Sequence, residues 1–323
     1  MRSVLLTVLF AFTAPFVSAH PGPHHLQTRS EIARRAELSK RCPGQAATFN
    51  ALRQKRAVEK RSILSPHGSL APRGINGTNV TIYTESPHYD TIQNDTCVLA
   101  PEIYAGPYLW PRSQTLRQDM SEDQAGVPLY LDIGVLNVNT CEPLPEVLVD
   151  LWHCNATGSY SSFTGRSPDT PFLSLLEQLN VTTGPDLDLH TDDTTFLRGL
   201  WPTDANGMME MKTIFPGFYV QRSIHIHVQV HTNWTVRSNG TIVSSNTVNT
   251  GQLYFSEELS QQIVALDPYA SHTGINRTTN AEDVLIGNST MGTGFDPILD
   301  VVALDGCDVT KGMIGYITLG VEA

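Results

Sequence analysis

Residues Pro216-Gly-Phe-Tyr-Val-Gln-Arg-Ser-Ile-His-Ile-His-Val-Gln-Val230 end in an alternation, with His225, His227 and Gln229 on one side and Ile226, Val228 and Val230 on the other. A period of two marks a half-buried β-strand. At about 3.3 Å rise per residue, it sets the two histidines on one face, roughly 7 Å apart. Two segments upstream keep the same beat. Leu129, Leu131, Ile133 and Val135 alternate with Tyr130, Asp132 and Gly134, and Val147, Val149 and Leu151 alternate with Leu148, Asp150 and Trp152. Gly and Pro punctuate the runs, and the one good helical candidate here is short, Ser256 to Val264 behind Phe255. Strands with turn signals and scarcely any crossover helices predict an all-β fold, an antiparallel β-sandwich, rather than a parallel sheet.

Two imidazoles on one strand face can share a metal, but imidazole suits Zn, Cu, Fe and Ni alike. A bare H-x-H is more often a surface or cross-strand pair. The surroundings change the odds. The Pro216-Gly217 turn places Tyr219 just ahead of the strand, Arg222 sits between them, and a second tyrosine closes Asp150-Leu-Trp-His-Cys-Asn-Ala-Thr-Gly-Ser-Tyr160-Ser161. The pairing of D-x-W-H-C-N-A-x-G-x-Y-S with P-G-x-Y and then R-x-x-H-I-H resembles the intradiol ring-cleavage dioxygenases, the family of catechol 1,2-dioxygenase and protocatechuate 3,4-dioxygenase, and within it a secreted fungal branch.

The resemblance runs from about Cys97 to the end of the β region. It implies one ferric ion, Fe(3+), per chain, held by Tyr160, Tyr219, His225 and His227. It implies a catechol-type substrate and dioxygen as partners, with cleavage between the two hydroxyl-bearing carbons to a cis,cis-muconate-type product, and it admits a homodimer. Tyr219 is the tyrosine expected to leave the metal and take a substrate proton, and Arg222 is expected to stabilise developing negative charge. Gln252, in Thr250-Gly-Gln-Leu-Tyr-Phe255, and Tyr108, in Gly106-Pro-Tyr108, match pocket residues, with Arg117 and Asp119 after the latter. The donor set suits the metal: two phenolates and two imidazoles favour Fe(III), whereas two histidines and one carboxylate favour Fe(II). A phenol of ordinary pKa near 10 ionises only beside a strong Lewis acid. The chain departs from the pattern at Phe218 and at Val220-Gln221, changes expected to reshape the pocket and leave the ligands alone.

The remaining sequence sets the setting. Arg2, an apolar run from Val4 to Val17 and the exit Val17-Ser18-Ala19 have the anatomy of a secretory signal over 1–19. N-x-S/T sequons recur at Asn76, Asn79, Asn94, Asn155, Asn180, Asn233, Asn239, Asn276 and Asn288, as in a secreted glycoprotein. No later segment approaches the roughly 20 apolar residues of a membrane span, so no membrane partner is expected. The net charge of −11 supplies no footprint for nucleic acid.

Residues 20–65 are His-rich and basic, with dibasic pairs at Lys40-Arg41, Lys55-Arg56 and Lys60-Arg61 and a helix expected over Thr28 to Arg41. They read as a helical N-terminal arm or propeptide outside the main domain, followed by a linker over 66–95 and a catalytic β-sandwich over 96–323. Cys42 lies in that arm, which leaves Cys97, Cys141, Cys154 and Cys307 to pair in any of three ways. His231 is too far along the strand to join His225 and His227, and His153 reads as packed or hydrogen-bonded. The competing function is a non-catalytic secreted β-sandwich that binds carbohydrate or protein, which would have no reason to keep both tyrosines in register with R-x-x-H-x-H. A copper site at His20, with His24 and His25 nearby, is a weaker alternative.

Overall fold

The computed structural model describes residues 30, 33–34, 37–38, 40–64, 97–98, 106–110, 115–182, 187–237, 242–286 and 296–323. The expected leader, His20, His24 and His25 and the linker lie outside these residues.

The alternating segments form strands, as their pattern demands. β1 is Cys97–Val98, β2 Pro128–Asn137, β3 Leu148–Trp152, β4 Arg198–Pro202, β5 Met208–Ile214, β6 His225–Val236, β7 Ile242–Tyr254, β8 Asp300–Ala303 and β9 Met313–Val321. One sheet runs β1-β9-β2-β5 with β8 on β9, and the other runs β4-β3-β6-β7. The pairs are antiparallel except that β9 runs parallel to both β1 and β2. β9 is buried along its whole length, the continuous apolar run of a strand covered on both faces. Leu129, Leu131, Ile133 and Val135 from one sheet meet Val149, Leu151, Ile226, Val228 and Val230 from the other in a single core. At about 25 cal/mol per Å² of apolar surface, this interleaving is the main stabilising term of the sandwich. The predicted short helix forms as α3, Glu257–Val264, behind α1 (Pro43–Leu64) and α2 (Phe172–Leu179). Ser256 caps α3 by accepting from the Leu259 amide, and Glu257 and Glu258 face the positive end of its dipole. Among the described residues, no helix is long and apolar enough to cross a membrane.

The core claims the even side of β6, Ile226, Val228 and Val230, so the odd side, with the histidines, faces outward on the four-stranded sheet. The opposite outer face, on the five-stranded sheet, carries α1. The expectation that this arm stands apart is corrected by three attachments. Cys42 is disulfide-bonded to Cys141, so Cys42 is not the odd cysteine. Cys154 and Cys307 carry free thiols, that of Cys154 pushed up to about 12 by burial. Phe49, fully buried, packs with Leu136, Val138 and Met208. Arg53 and Arg56 reach Asp132: Arg56 donates twice to its carboxylate, at 2.7 and 3.1 Å, while Arg53 Nε stands 3.6 Å from it and the two terminal nitrogens of Arg53 donate to Asn50 Oδ1 and to the Ile317 carbonyl. Burial pulls the Arg53 guanidinium down to about 10. Ser30, Ala33, Arg34, Glu37 and Leu38 of the helix expected over 28–41 are helical.

Candidate metal centre

Two loops and one strand bring the predicted side chains together. The loop after β3 is built by Asn155, whose Oδ1 accepts from Thr157 N, Thr157 Oγ1 and Ser159 N, so one of the sequon asparagines is engaged in shaping the turn that delivers Tyr160. The loop before β6 lies against it. Gly217 N donates to Asn155 O at 3.1 Å, and a Cβ at Gly217 would stand 2.4 Å from Asn155 O and 2.5 Å from Ala156 O. Only glycine permits that approach, which brings the Tyr160 and Tyr219 rings to 5.6 Å between centroids.

His225 Nε2 is 3.2 Å from His227 Nε2 and 3.2 Å from Tyr219 Oη, so three donor atoms converge. His225 Nδ1 is 2.7 Å from the Ser223 carbonyl. That acceptor takes the Nδ1 proton and leaves Nε2 with its lone pair. The His227 ring is fixed by Trp152, stacked 4.8 Å away at an interplanar angle of 3°. Tyr160 is buried, and its hydroxyl has no hydrogen-bond partner among the described residues. Burial raises the Tyr160 hydroxyl well above its usual pKa, with the neighbouring Tyr219 adding to the shift. Burial raises Tyr219 too, although the Arg222 charge opposes it. Both phenols are therefore neutral without a cation beside them. Among the described residues, no group of three or more His, Cys, Asp or Glu side chains could hold a metal, so a metal here depends on phenolate oxygen. A buried phenol without a hydrogen-bond partner among the described residues, its ring 6.1 Å from that of His227 between centroids, fits one.

Arg222 is fully buried beside the cluster. Its Nε donates to Asp283 Oδ2 at 2.9 Å, and one terminal nitrogen donates to Gln252 Oε1 and Tyr254 Oη. Burial acts to lower its pKa, but the Asp283 carboxylate together with Tyr219 and Tyr254 outweighs that, and the guanidinium is held above its ordinary value. Tyr254 also donates to Gln252 Oε1 at 2.6 Å, which turns the Gln252 amide nitrogen toward His227 Nδ1, 3.5 Å away. Tyr108 stacks on Tyr160 at 4.6 Å and meets Tyr219 edge-on at 5.9 Å. The long stretch from Pro168 to Leu200, unassigned by sequence, supplies a roof: Phe172, Leu175 and Leu176 of α2 and Leu189 pack with Tyr108, Tyr160 and Tyr219.

Other expectations land elsewhere. Phe218 packs into the main core and stacks on His272 at 4.5 Å, which corrects its role as a pocket-shaping residue. Val220-Gln221 forms the turn before Arg222, with Gln221 in the left-handed region (φ 64°). Arg117 binds Glu122 and the carbonyls of Thr195 and Arg198, and Asp119 pairs with Lys212; both are scaffold. His231 pairs with Asp150 at 3.6 Å. His153 is buried between the Cys154 carbonyl and Thr213 Oγ1. Sequence reasoning missed Arg198, buried against the roof, which donates to Ser161 Oγ, Ser161 O and Tyr108 O, each at 2.8 Å, and so holds the residue after Tyr160. It also missed Asp283. Neither lies in a motif.

A family profile described as Dioxygenase matches residues 105–300. The chain belongs to the intradiol ring-cleavage dioxygenases. It resembles the crystal structure of an intradiol ring-cleavage dioxygenase from Tetranychus urticae, 27% identical with a TM-score of 0.55, over 70% of this chain and 95% of that one. A second dioxygenase crystal structure is 26% identical with a TM-score of 0.53, over 70% and 94% of the two chains. Among curated protein sequences none matches. Family membership sets aside the non-catalytic binding module.

Proposed function

We propose that this intradiol dioxygenase is a secreted, ferric, non-haem enzyme that opens catechol-type aromatics between the two hydroxyl-bearing carbons to give cis,cis-muconate-type products. One observation carries the reading: His225 Nε2 lies 3.2 Å from both His227 Nε2 and Tyr219 Oη, with the Tyr160 hydroxyl, which has no hydrogen-bond partner among the described residues, close by. Tyr160, Tyr219, His225 and His227 would hold the iron. When bound, ferric iron supplies the positive charge that ionises both phenols and the diol.

The residues around it divide the remaining work. Tyr219 would help hold the iron, and its oxygen is the group that would accept the first hydroxyl proton of the substrate. Arg222 offers a fixed positive charge to the diolate as the ring becomes electron-rich. Its worth is greatest where water is excluded, and the stacked Tyr108 with the α2 roof excludes it. Gln252 holds the guanidinium in plane. Both atoms of dioxygen end in the product and the ring itself supplies the electrons, so no reductant site is required.

The secreted setting is supported by the leader anatomy and by exposed sequon asparagines at Asn180, Asn233 and Asn276. The test of the function is a visible spectrum with metal analysis, recorded before and after catechol under anaerobic conditions, followed by admission of oxygen. A tyrosinate-to-iron band that shifts on catechol and gives way to muconate absorption supports the proposal. A colourless protein that binds no iron on ferric reconstitution overturns it.

A further inference from the structure

Asp283 comes from an irregular segment well separated in sequence from the site, and it is almost wholly buried. Its Oδ2 accepts from Arg222 Nε at 2.9 Å, from Ser223 N at 2.9 Å and from Ser223 Oγ at 3.0 Å, and its Oδ1 accepts from Leu285 N at 2.9 Å. The segment is itself pinned. Asn280 donates to the Phe255 carbonyl at 2.7 Å and receives its place from Glu257, which accepts the Asn280 amide at 3.1 Å. One carboxylate thus grips two consecutive residues between Tyr219 and His225. The first grip sets the guanidinium: Asp283 takes the Nε edge while Gln252 and Tyr254 take the far nitrogen, so the plane cannot rotate. The second sets the metal face of His225, because Ser223, the residue that Asp283 holds by its N–H and its hydroxyl, also presents the carbonyl that receives His225 Nδ1.

We propose that Asp283 is a positioning residue of the ring-cleavage reaction, coupling the orientation of Arg222 to the metal-facing tautomer of His225 through Ser223. The inference rests on the functional reading above. Asp283 touches neither the donor cluster nor the substrate. It acts through its neighbours, as partners behind metal ligands do, whose loss costs about 10- to 100-fold in metal affinity or activity.

The test compares wild type with Asp283→Asn, which keeps size and one oxygen but loses the charge and presents an amide to three donors. Three quantities are read on full-length protein: ferric-iron affinity of the apoprotein, position of the visible band, and kcat against KM for catechol. We expect iron affinity to fall about 10-fold, the band to shift, and kcat to fall about 100-fold with KM changed by less than about threefold. In an Arg222→Met background, the kcat loss from Asp283→Asn should shrink to less than about threefold, while the affinity loss persists. If Asp283→Asn does not accumulate folded, Asp283→Glu carries the same readouts, since it retains the charge and misplaces it. Unchanged iron affinity and band position, with activity falling only in step with the folded fraction, overturns the proposal. If wild type binds iron and cleaves no catechol, the functional reading fails, and the affinity arm still decides the role of Asp283.

Discussion

Gly134 lies in β2 on the outer face that α1 covers, and replacing it with alanine tests whether that helix is part of the working protein. A Cβ there would stand 2.6 Å from Phe49 Cδ2 and 2.9 Å from an Arg53 terminal nitrogen. Neither neighbour can yield: Phe49 is 0% and Arg53 1% exposed, and Arg53 is tied to Asn50 and Ile317. Overpacking of this kind costs about 1–3 kcal/mol. In an uncovered strand the same change would stabilise by about 0.5–1 kcal/mol, because glycine is the poorer strand residue. The net expectation is destabilisation by about 1–2 kcal/mol, and its sign is diagnostic. Urea unfolding of wild type, Gly134→Ala, Phe49→Ala and the double variant supplies the measurement. Phe49→Ala alone should cost about 3–5 kcal/mol, and the double variant should cost less than the sum by about 1 kcal/mol or more, since the new methyl enters the space that the ring vacates. A Gly134→Ala protein at least as stable as wild type, with residues 43–64 verified by mass, would refute the packing of α1 described above.

Three further outcomes follow from the geometry. Tyr219→Phe should keep the fold but lower kcat at least about 100-fold and weaken the visible band; a variant with wild-type turnover would exclude Tyr219 as the proton acceptor. His153 is buried neutral, its pKa lowered to about 4 by burial against about 6.5 unfolded. The unfolded chain therefore binds the extra proton between those values, and stability fully present above pH 6.5 should decline by about 2 kcal/mol between pH 7 and pH 5. The His153→Gln protein should lose that slope, and an unchanged slope would assign it to other groups. Cys141→Ser opens a loop spanning a sequence separation of 99 and, on the loop-entropy account, should cost about 4–5 kcal/mol; urea midpoints that ignore both the substitution and reductant would contradict it.

The sandwich was legible because β2, β3 and β6 show the period-two alternation that burial of one face requires, and α3 because an apolar residue, a serine cap and two glutamates stand in order. The four-residue cluster was legible as motif, since its members lie in two short stretches. What escaped shares a physical cause. The helix α1 buries Ala46, Phe49, Asn50 and Arg53, a stripe with helical spacing in which two of four members are polar, so apolar periodicity does not report it. The parallel approach of β9 to β2 is a long-range pairing with no local signal. Asp283 grips Ser223 and Arg222 from 60 and 61 residues away, and Arg198 reaches partners at least 37 residues away, and nothing beside them in the sequence announces the partner. Cysteine spacing does not rank pairings, and here the bond joins the residue that composition set aside.

That bond also changes what a cut chain would be. A protease acting after Arg56 or Arg61 would sever the backbone between the leading segment and the sandwich, yet Cys42 would still hold the severed piece to Cys141. The nicked material would move as one particle in a native separation and as two polypeptides once reduced. Maturation at those dibasic pairs would alter the number of chain ends without shedding mass, and only a cut after Arg41 or earlier would release anything.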